Sequence, residues 1–327
     1  MSAVRQVDRA AVALFLVVAF AAAWLIVSPL WFSGLGLRTP GATVLMAVMM
    51  LAPTLGVLAV VLLLRRRKGV LLATGLRAPG GIRSWWRWGL LAYLGAPVLA
   101  FAAAALAAAL GVFPVDLAGF SGFRAVLQAA GADRLPLPVS TLVVLQIVQI
   151  FVVGWVNVLP ALLPLGRWPA ILLVGVVWGL WHAPVVLLGY NYPLEPAPLR
   201  LALMVVFCVV TGSLLGWLRL RSRSVWPCAI GHGFVNAAAG VPLLFAAAGS
   251  PVDTATTGLL GWTGWLVMAA ALAIAAALSR GRSARQPEQA GDEQQQGEPE
   301  ERGDDGVRGR AAGQAGAGDG GTAAARR

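Results

Sequence analysis

The sequence is poor in charge: only 12% of its 327 residues are Asp, Glu, Lys or Arg, whereas 58% are hydrophobic. Soluble domains carry roughly 25% charged residues, so this composition excludes an ordinary soluble enzyme and indicates a polytopic membrane protein. The net charge of +11 does not indicate nucleic-acid binding. Most of the cations flank apolar runs, where they set the topology of a membrane protein.

Histidine and cysteine are also scarce, with two residues of each. Cys208 and Cys228 both fall in apolar runs, which argues against a disulfide scaffold and favours small hydrophobic side chains. His182 lies in the uncharged run 168–189, and His232 lies in a second apolar run. Because ionisable side chains inside membrane segments mark functional sites by default, the two histidines are the first site candidates.

Acidic residues are nearly missing from the apolar part of the chain. Nine of the fourteen follow Ser279, and none occurs from Leu135 to Leu194. The remaining five lie outside the predicted spans or near their ends: Asp8, Asp116, Asp133, Glu195 and Asp253. Without an intramembrane acid for a proton relay, and without paired broken helices, a transporter is the less favoured alternative.

The apolar runs predict an all-α membrane bundle of about eight transmembrane helices. The predicted spans are 10–30, 42–64, 88–112, 138–160, 170–189, 200–218, 225–246 and 258–278. Residues 1–279 would form the transmembrane domain, and 280–327, rich in Gly, Gln, Glu, Arg and Ala, a disordered cytoplasmic tail. Arginines concentrated in alternate loops predict an integral plasma membrane protein with both termini in the cytoplasm.

Two further features lie at the predicted ends of spans. Trp85, Trp86 and Trp88 alternate with arginines before span three and are typical of an interfacial anchor. The segments 36–41 (Gly-Leu-Arg-Thr-Pro-Gly) and 75–80 (Gly-Leu-Arg-Ala-Pro-Gly) are nearly identical. Because the predicted topology puts them on opposite faces of the membrane, we interpret the match as loop chemistry and not as a repeat.

The histidines belong to two local patterns with helical spacing. His232 and Asn236 are four residues apart, with Cys228 one turn earlier on the same face, and Trp178 precedes His182 by the same spacing. Two helices that direct imidazoles to a common centre can bind a metal or stabilise an oxyanion. The alternative is hydrogen bonding between helices, worth about 1 kcal/mol.

These patterns resemble the CPBP family, also called the CAAX protease or Abi family. The segment 178–184 (Trp-Gly-Leu-Trp-His-Ala-Pro) is similar to its second motif, and His232-x-x-x-Asn236 with the Ser-x-Trp-Pro lead-in is similar to its third. The resemblance covers about 138–246. It implies an intramembrane metallo-endopeptidase, a zinc ion, and a prenylated peptide or membrane protein as the partner in the lipid bilayer.

The family's first motif, a Glu-Glu pair followed by an arginine, has no counterpart here. Alignment on Trp155 puts Phe151 and Val152 at the glutamate positions and Val156 at the arginine position. The resemblance assigns a glutamate to water activation, and neither Phe nor Val can act as a general base. The sequence therefore predicts a catalytically degenerate member that binds a membrane peptide or a partner protein.

An active protease with an unrecognised base is the alternative. Gln146, Gln149 and Asn157 are amides, which orient water but accept no proton at neutral pH. A Cys228–His232 thiolate pair would need a thiol pKa that burial opposes. Whether the chain is an enzyme stays open at this point.

The zinc implied by the resemblance is predicted to bind weakly or to be absent. Catalytic zinc sites usually supply three protein ligands, and this chain offers His182, His232 and the weakly coordinating amide of Asn236. A divalent ion without a counter-charge would be costly in an apolar bundle. We expect both imidazoles to be neutral and hydrogen-bonded to each other, to Asn236 or to water.

Overall fold

The computed structural model describes residues 8–64, 75–129 and 167–284. Within these ranges the regular structure is helical, with no strand and one isolated antiparallel bridge between Val115 and Ala246. The all-α prediction is confirmed. The chain divides into two units, Met1–Ala277 and Leu278–Arg327, and the second is described only as far as Ala284. The predicted span 138–160 and the tail beyond Ala284 lie outside the described residues.

The helices alternate with short turns rich in glycine. Two 3₁₀-helices, Gly36–Arg38 and Gly81–Ser84, precede longer helices. The α-helices of the described residues are α1 (Arg9–Phe32), α2 (Ala42–Met49), α3 (Ala52–Leu63), α4 (Trp86–Ala109), α5 (Ser121–Ala129), α6 (Arg167–Trp181), α7 (Ala183–Val186), α8 (Ala197–Ser222), α9 (Trp226–Ala238), α10 (Val241–Phe245) and α11 (Trp262–Ala284).

Five helical segments among the described residues are long and apolar enough to cross a membrane, so the chain is an integral membrane protein. They are α1, α2 with α3, α4, α8, and α9 with α10. Two shorter apolar helices, Trp168–Trp181 and Trp262–Leu278, fall below the length required. The count of eight spans therefore stays a prediction.

Proline accounts for the main differences from the predicted helix boundaries. The predicted helix 170–189 ends at Trp181 and resumes after His182 as the single turn α7, with Pro184 among its first residues. Pro53 and Pro242 likewise occupy the first turns of α3 and α10 and divide the two other predicted spans. Proline lacks a backbone N–H and is favoured in a first turn, so each of these three marks the restart of a helix, whereas Pro29 and Pro97 are accommodated inside α1 and α4.

The bundle is held by three long helix pairs: α6 with α8, α4 with α9, and α1 with α3. The α6–α8 pair is the closest, because glycines let the backbones meet. A Cβ atom at Gly179 would lie 2.5 Å from Cα of Val205, and one at Gly175 would lie 2.7 Å from Cα of Val209. Gly212 of α8 faces Gly175 in return. This is the small-xxx-small packing by which membrane helices approach closely.

At the other end of α4, a compact turn joins the chain to the end of α10. Asp116 accepts hydrogen bonds from the backbone N–H groups of Gly119 (2.7 Å) and Ser121 (3.1 Å). Its own N–H donates to the Phe245 carbonyl at 2.8 Å. The hydrogen bonds from Ser121 and then Gly119 lower the pKa of this half-buried carboxyl to about 2. The turn leads into α5, an amphipathic helix that the sequence analysis did not predict.

Candidate functional site

His182 lies at the junction of α6 and α7 with only 8% of its surface exposed. Its Nδ1 is 2.8 Å from the carbonyl oxygen of Trp178, one turn earlier. Since a carbonyl oxygen only accepts, Nδ1 carries the proton and Nε2 keeps its lone pair. The Trp181 ring meets the imidazole edge-on at 4.9 Å between centroids, and Trp181 Nε1 donates to the Ala19 carbonyl at 3.3 Å. The orientation of the His182 ring is therefore fixed by the backbone and by an aromatic neighbour.

His232 is held more loosely, in the middle of α9. Its side chain is half-buried, and Asn236, one turn later, is exposed. Nδ2 of Asn236 donates towards Nε2 of His232 at 3.5 Å, at the long limit of a hydrogen bond. The predicted face-sharing of these two residues is therefore present in the structure, with one weak hydrogen bond between them.

Trp178 joins the two histidines. Its ring lies 5.9 Å from that of His182 and 5.0 Å from that of His232, the second contact being edge-to-face at 82°. The structure thus brings the two predicted motifs together around one indole ring, supplied by α6 and packed against Phe207 of α8.

The Ser-x-Trp-Pro lead-in fixes where α9 begins. Arg223 adopts a left-handed conformation (φ 53°) and ends α8. The Ser224 hydroxyl then accepts a hydrogen bond from the Trp226 N–H at 3.3 Å, and Pro227 fills the first turn, where a missing N–H costs nothing. Because the start of α9 is fixed, the lead-in sets which face of the helix carries His232.

Cys228 does not pair with His232 in the structure. Its thiol donates to the carbonyl oxygen of Leu215 on α8 at 3.1 Å, and Cys208 is a separate buried thiol. A sulfur that donates to a carbonyl is protonated, so Cys228 contributes to packing between α8 and α9. Its supporting role in a metal or nucleophile site stays a prediction that this hydrogen bond does not favour.

Two residues that the sequence analysis did not single out organise the loop after α7. The Arg200 guanidinium donates to the carbonyl oxygens of Leu187 (3.0 Å), Glu195 (2.5 Å) and Pro193 (3.4 Å). The fully buried Tyr192 donates its hydroxyl to the Leu260 carbonyl at 2.9 Å, and burial raises its pKa, which keeps the donor proton. The feature of the sequence that could have identified Arg200 is a charged residue at the start of a long apolar run.

Weak or absent zinc binding stays a prediction, and the described residues supply fewer ligands than a catalytic zinc ion usually has. The described residues hold no group of three His, Cys, Asp or Glu side chains that could bind a metal. The chain has no further histidine or cysteine, and no acid from Leu135 to Leu194, so the sequence offers no third ligand of these types in that segment. His182 Nε2 keeps a lone pair, whereas His232 Nε2 already accepts from Asn236. Two neutral imidazoles do not make a catalytic zinc site.

The positions aligned with the family's first motif lie outside the described residues. These are Phe151, Val152 and Val156, together with the amides Gln146, Gln149 and Asn157. Their assignment rests on the sequence alone, and it stays a prediction.

Comparison with known proteins gives a family match that covers the segment with the two histidine motifs. The chain matches the model of a family described as type II CAAX prenyl endopeptidase Rce1-like over residues 65–238. A search of curated proteins finds no match, and a search of solved structures finds none either. The matched range takes in α4, α6, α8 and the two histidines, and begins earlier than the segment 138–246 that carries the motif resemblance. The chain is therefore a member of the Rce1-like, type II CAAX prenyl endopeptidase family.

Proposed function

We propose that this member of the family is catalytically degenerate and acts by binding a membrane-embedded peptide or partner protein. One observation carries the proposal: the sequence has no acidic residue from Leu135 to Leu194, the segment where the family resemblance puts its glutamates. Peptide hydrolysis needs a general base that can take a proton from water. Nε2 of His232 already accepts from the Asn236 amide, and Nε2 of His182 keeps a lone pair but belongs to a ring that is only 8% exposed.

A binding role would use His232 and Asn236 to contact a peptide without hydrolysing it. A peptide that enters the bilayer carries backbone N–H and C=O groups that lipid cannot satisfy. Asn236 is exposed and His232 is half-buried, so an amide and an imidazole are available to such a backbone. The family supports a prenylated peptide as the first ligand to test.

The test uses purified full-length protein in detergent micelles, a fluorescent farnesylated CAAX peptide, and the same peptide without the prenyl group. Anisotropy should show saturable binding of the prenylated peptide, and chromatography should show no cleavage above the protein-free rate. The double variant His232→Ala/Asn236→Ala should weaken binding by about 1–2 kcal/mol, or roughly tenfold. Gly95→Ala is the matched control, because a methyl group at Gly95 would meet no atom within 4 Å.

Cleavage of the peptide that disappears in His182→Ala would refute the degenerate reading and favour a hidden base. Zinc content gives a second, independent measure. Elemental analysis of protein purified without chelator should find well under one zinc per chain, unchanged in His182→Ala. Stoichiometric zinc that is lost in that variant would also refute the proposal.

A further inference from the structure

A cavity of about 760 Å³ lies outside the histidine site, where α4 and α9 begin. The loop 76–82 forms its floor and rim, and the side chains of Trp85 and Trp226 form a wall. The two indole rings are stacked, 6.4 Å apart at 24°. Trp226 Nε1 donates to the Leu76 carbonyl at 3.0 Å, which fixes this ring to the loop. The cavity is therefore bounded by a constrained turn and a rigid aromatic pair.

The charge at this cavity has one sign. Arg77 lines it with an exposed guanidinium, to which the described residues give neither a hydrogen bond nor an ion pair. Arg83 and Arg87 follow within ten residues, and Arg87 lies 5.5 Å from the Trp86 ring. The sequence has no acidic residue in 9–115 or in 196–252, the two stretches that supply the cavity. An anion would therefore meet cations without a competing carboxylate from either stretch.

The depth of the cavity in the membrane points to the source of the anion. Two candidate spans, Trp86–Ala109 and Trp226–Phe245, both begin at its wall. The start of a span, marked by tryptophans, lies at the level of the lipid headgroups. Guanidinium groups bind phosphate through paired hydrogen bonds, and indole rings suit the boundary between headgroup and acyl chain. We infer that this cavity binds the phosphate headgroup of an anionic phospholipid, with Arg77 as the principal contact.

The chain contains a natural control for this inference. The segment 36–41 repeats the Gly-Leu-Arg-x-Pro-Gly sequence, and its last glycine has the same left-handed conformation: φ 80° at Gly41 and φ 81° at Gly80. Arg38, the counterpart of Arg77, is exposed, but no residue of its loop lines the cavity. The two arginines therefore share a local sequence, and only one has the aromatic wall.

The experiment reconstitutes the full chain in phosphatidylcholine nanodiscs and titrates in spin-labelled phosphatidylglycerol, with spin-labelled phosphatidylcholine as the neutral probe. Wild type and Arg38→Gln should both prefer phosphatidylglycerol. Arg77→Gln should lose about fivefold of that preference, the amount that one basic residue contributes near an anionic surface. Arg77→Lys should retain most of it. The melting temperature in detergent without lipid should be the same for all four proteins, because both arginines are exposed.

Three results would overturn the inference. Equal loss in Arg38→Gln and Arg77→Gln would show general surface attraction in place of a site. Equal affinity for the two labelled lipids in wild type would remove the role of charge. Displacement of the labelled lipid by millimolar inorganic phosphate, at matched ionic strength, would assign the cavity to a free anion.

Discussion

The two histidines occupy different kinds of structure, although each follows an i,i+4 pattern in the sequence. His182 is buried between two helices, hydrogen-bonds to a backbone carbonyl, and belongs to a helix packed closely against α8. His232 is half-buried within α9, where it meets the Trp178 ring edge-to-face and has one long hydrogen bond, from the exposed Asn236. On the proposed binding function, we expect His182 to support the architecture of the site, and His232 and Asn236 to contact the ligand.

The largest expected effect is the contrast between the two alanine substitutions. His182→Ala removes a buried ring packed against Trp181 and Trp178, and should lower the free energy of unfolding by about 3 kcal/mol. His232→Ala removes a half-buried ring, its edge contact with Trp178 and one weak hydrogen bond, and should cost about 1 kcal/mol. Thermal unfolding in the same detergent measures both. Equal losses would remove the distinction between the two positions.

A second substitution tests whether close helix packing supports the His182 side. Gly179→Ala would put a methyl carbon 2.5 Å from Cα of Val205, so α6 and α8 must separate. The expected cost is about 2 kcal/mol, as for other overpacked cores. Gly95→Ala in α4 has open space and should be neutral or slightly stabilising. If the two variants have the same melting temperature, the α6–α8 contact is not a determinant of stability.

Asn236→Ala sharpens the other side of the comparison. The side chain is exposed and its hydrogen bond to His232 is 3.5 Å long, so the stability loss should stay below about 0.5 kcal/mol. Binding of a membrane peptide should fall all the same. Thermal unfolding measures the stability, and peptide anisotropy measures the binding. A loss of stability without a loss of binding would contradict the assignment of Asn236 as a ligand contact.

The smallest expected effect is the response of the Asp116 turn to acid pH. This turn follows α4, which packs against α9, the helix that carries His232. The Asp116 carboxyl has a pKa lowered from 3.8 to about 2, so its hydrogen bonds add stability above pH 3.8 and lose it as the pH falls towards 2. The protection of the Gly119 and Ser121 amides, measured relative to their intrinsic exchange rates at each pH, should therefore fall across that interval. Asp116→Asn should remove the pH dependence, and amides near His182 should show no matching change.

Much of the fold and of the site was accessible from the sequence, because the signals are local. The apolar runs predicted the helical bundle, and the four-residue spacings correctly paired Trp178 with His182 and His232 with Asn236. The break at His182 was not predicted, because an apolar run looks the same whether or not Pro184 restarts the helix within it. The contact of Trp178 with His232 joins residues far apart in the chain. The hydrogen bonds of Arg200 depend on how the loop before α8 folds back towards it, which a linear pattern does not show.

The hydrogen bonds of Arg200 also bear on how basic residues should be counted in such a sequence. A charge count treats all arginines alike, but Arg200 gives its donors to three carbonyls, and Arg124 donates Nε to the Gly119 carbonyl at 2.7 Å. Arg38 and Arg77 are exposed. An arginine can therefore hold a loop in its conformation and still be counted among the residues that are taken to set the membrane topology. Charge asymmetry between loops is therefore best counted from the exposed arginines, and not from those whose side chains hydrogen-bond to backbone carbonyls.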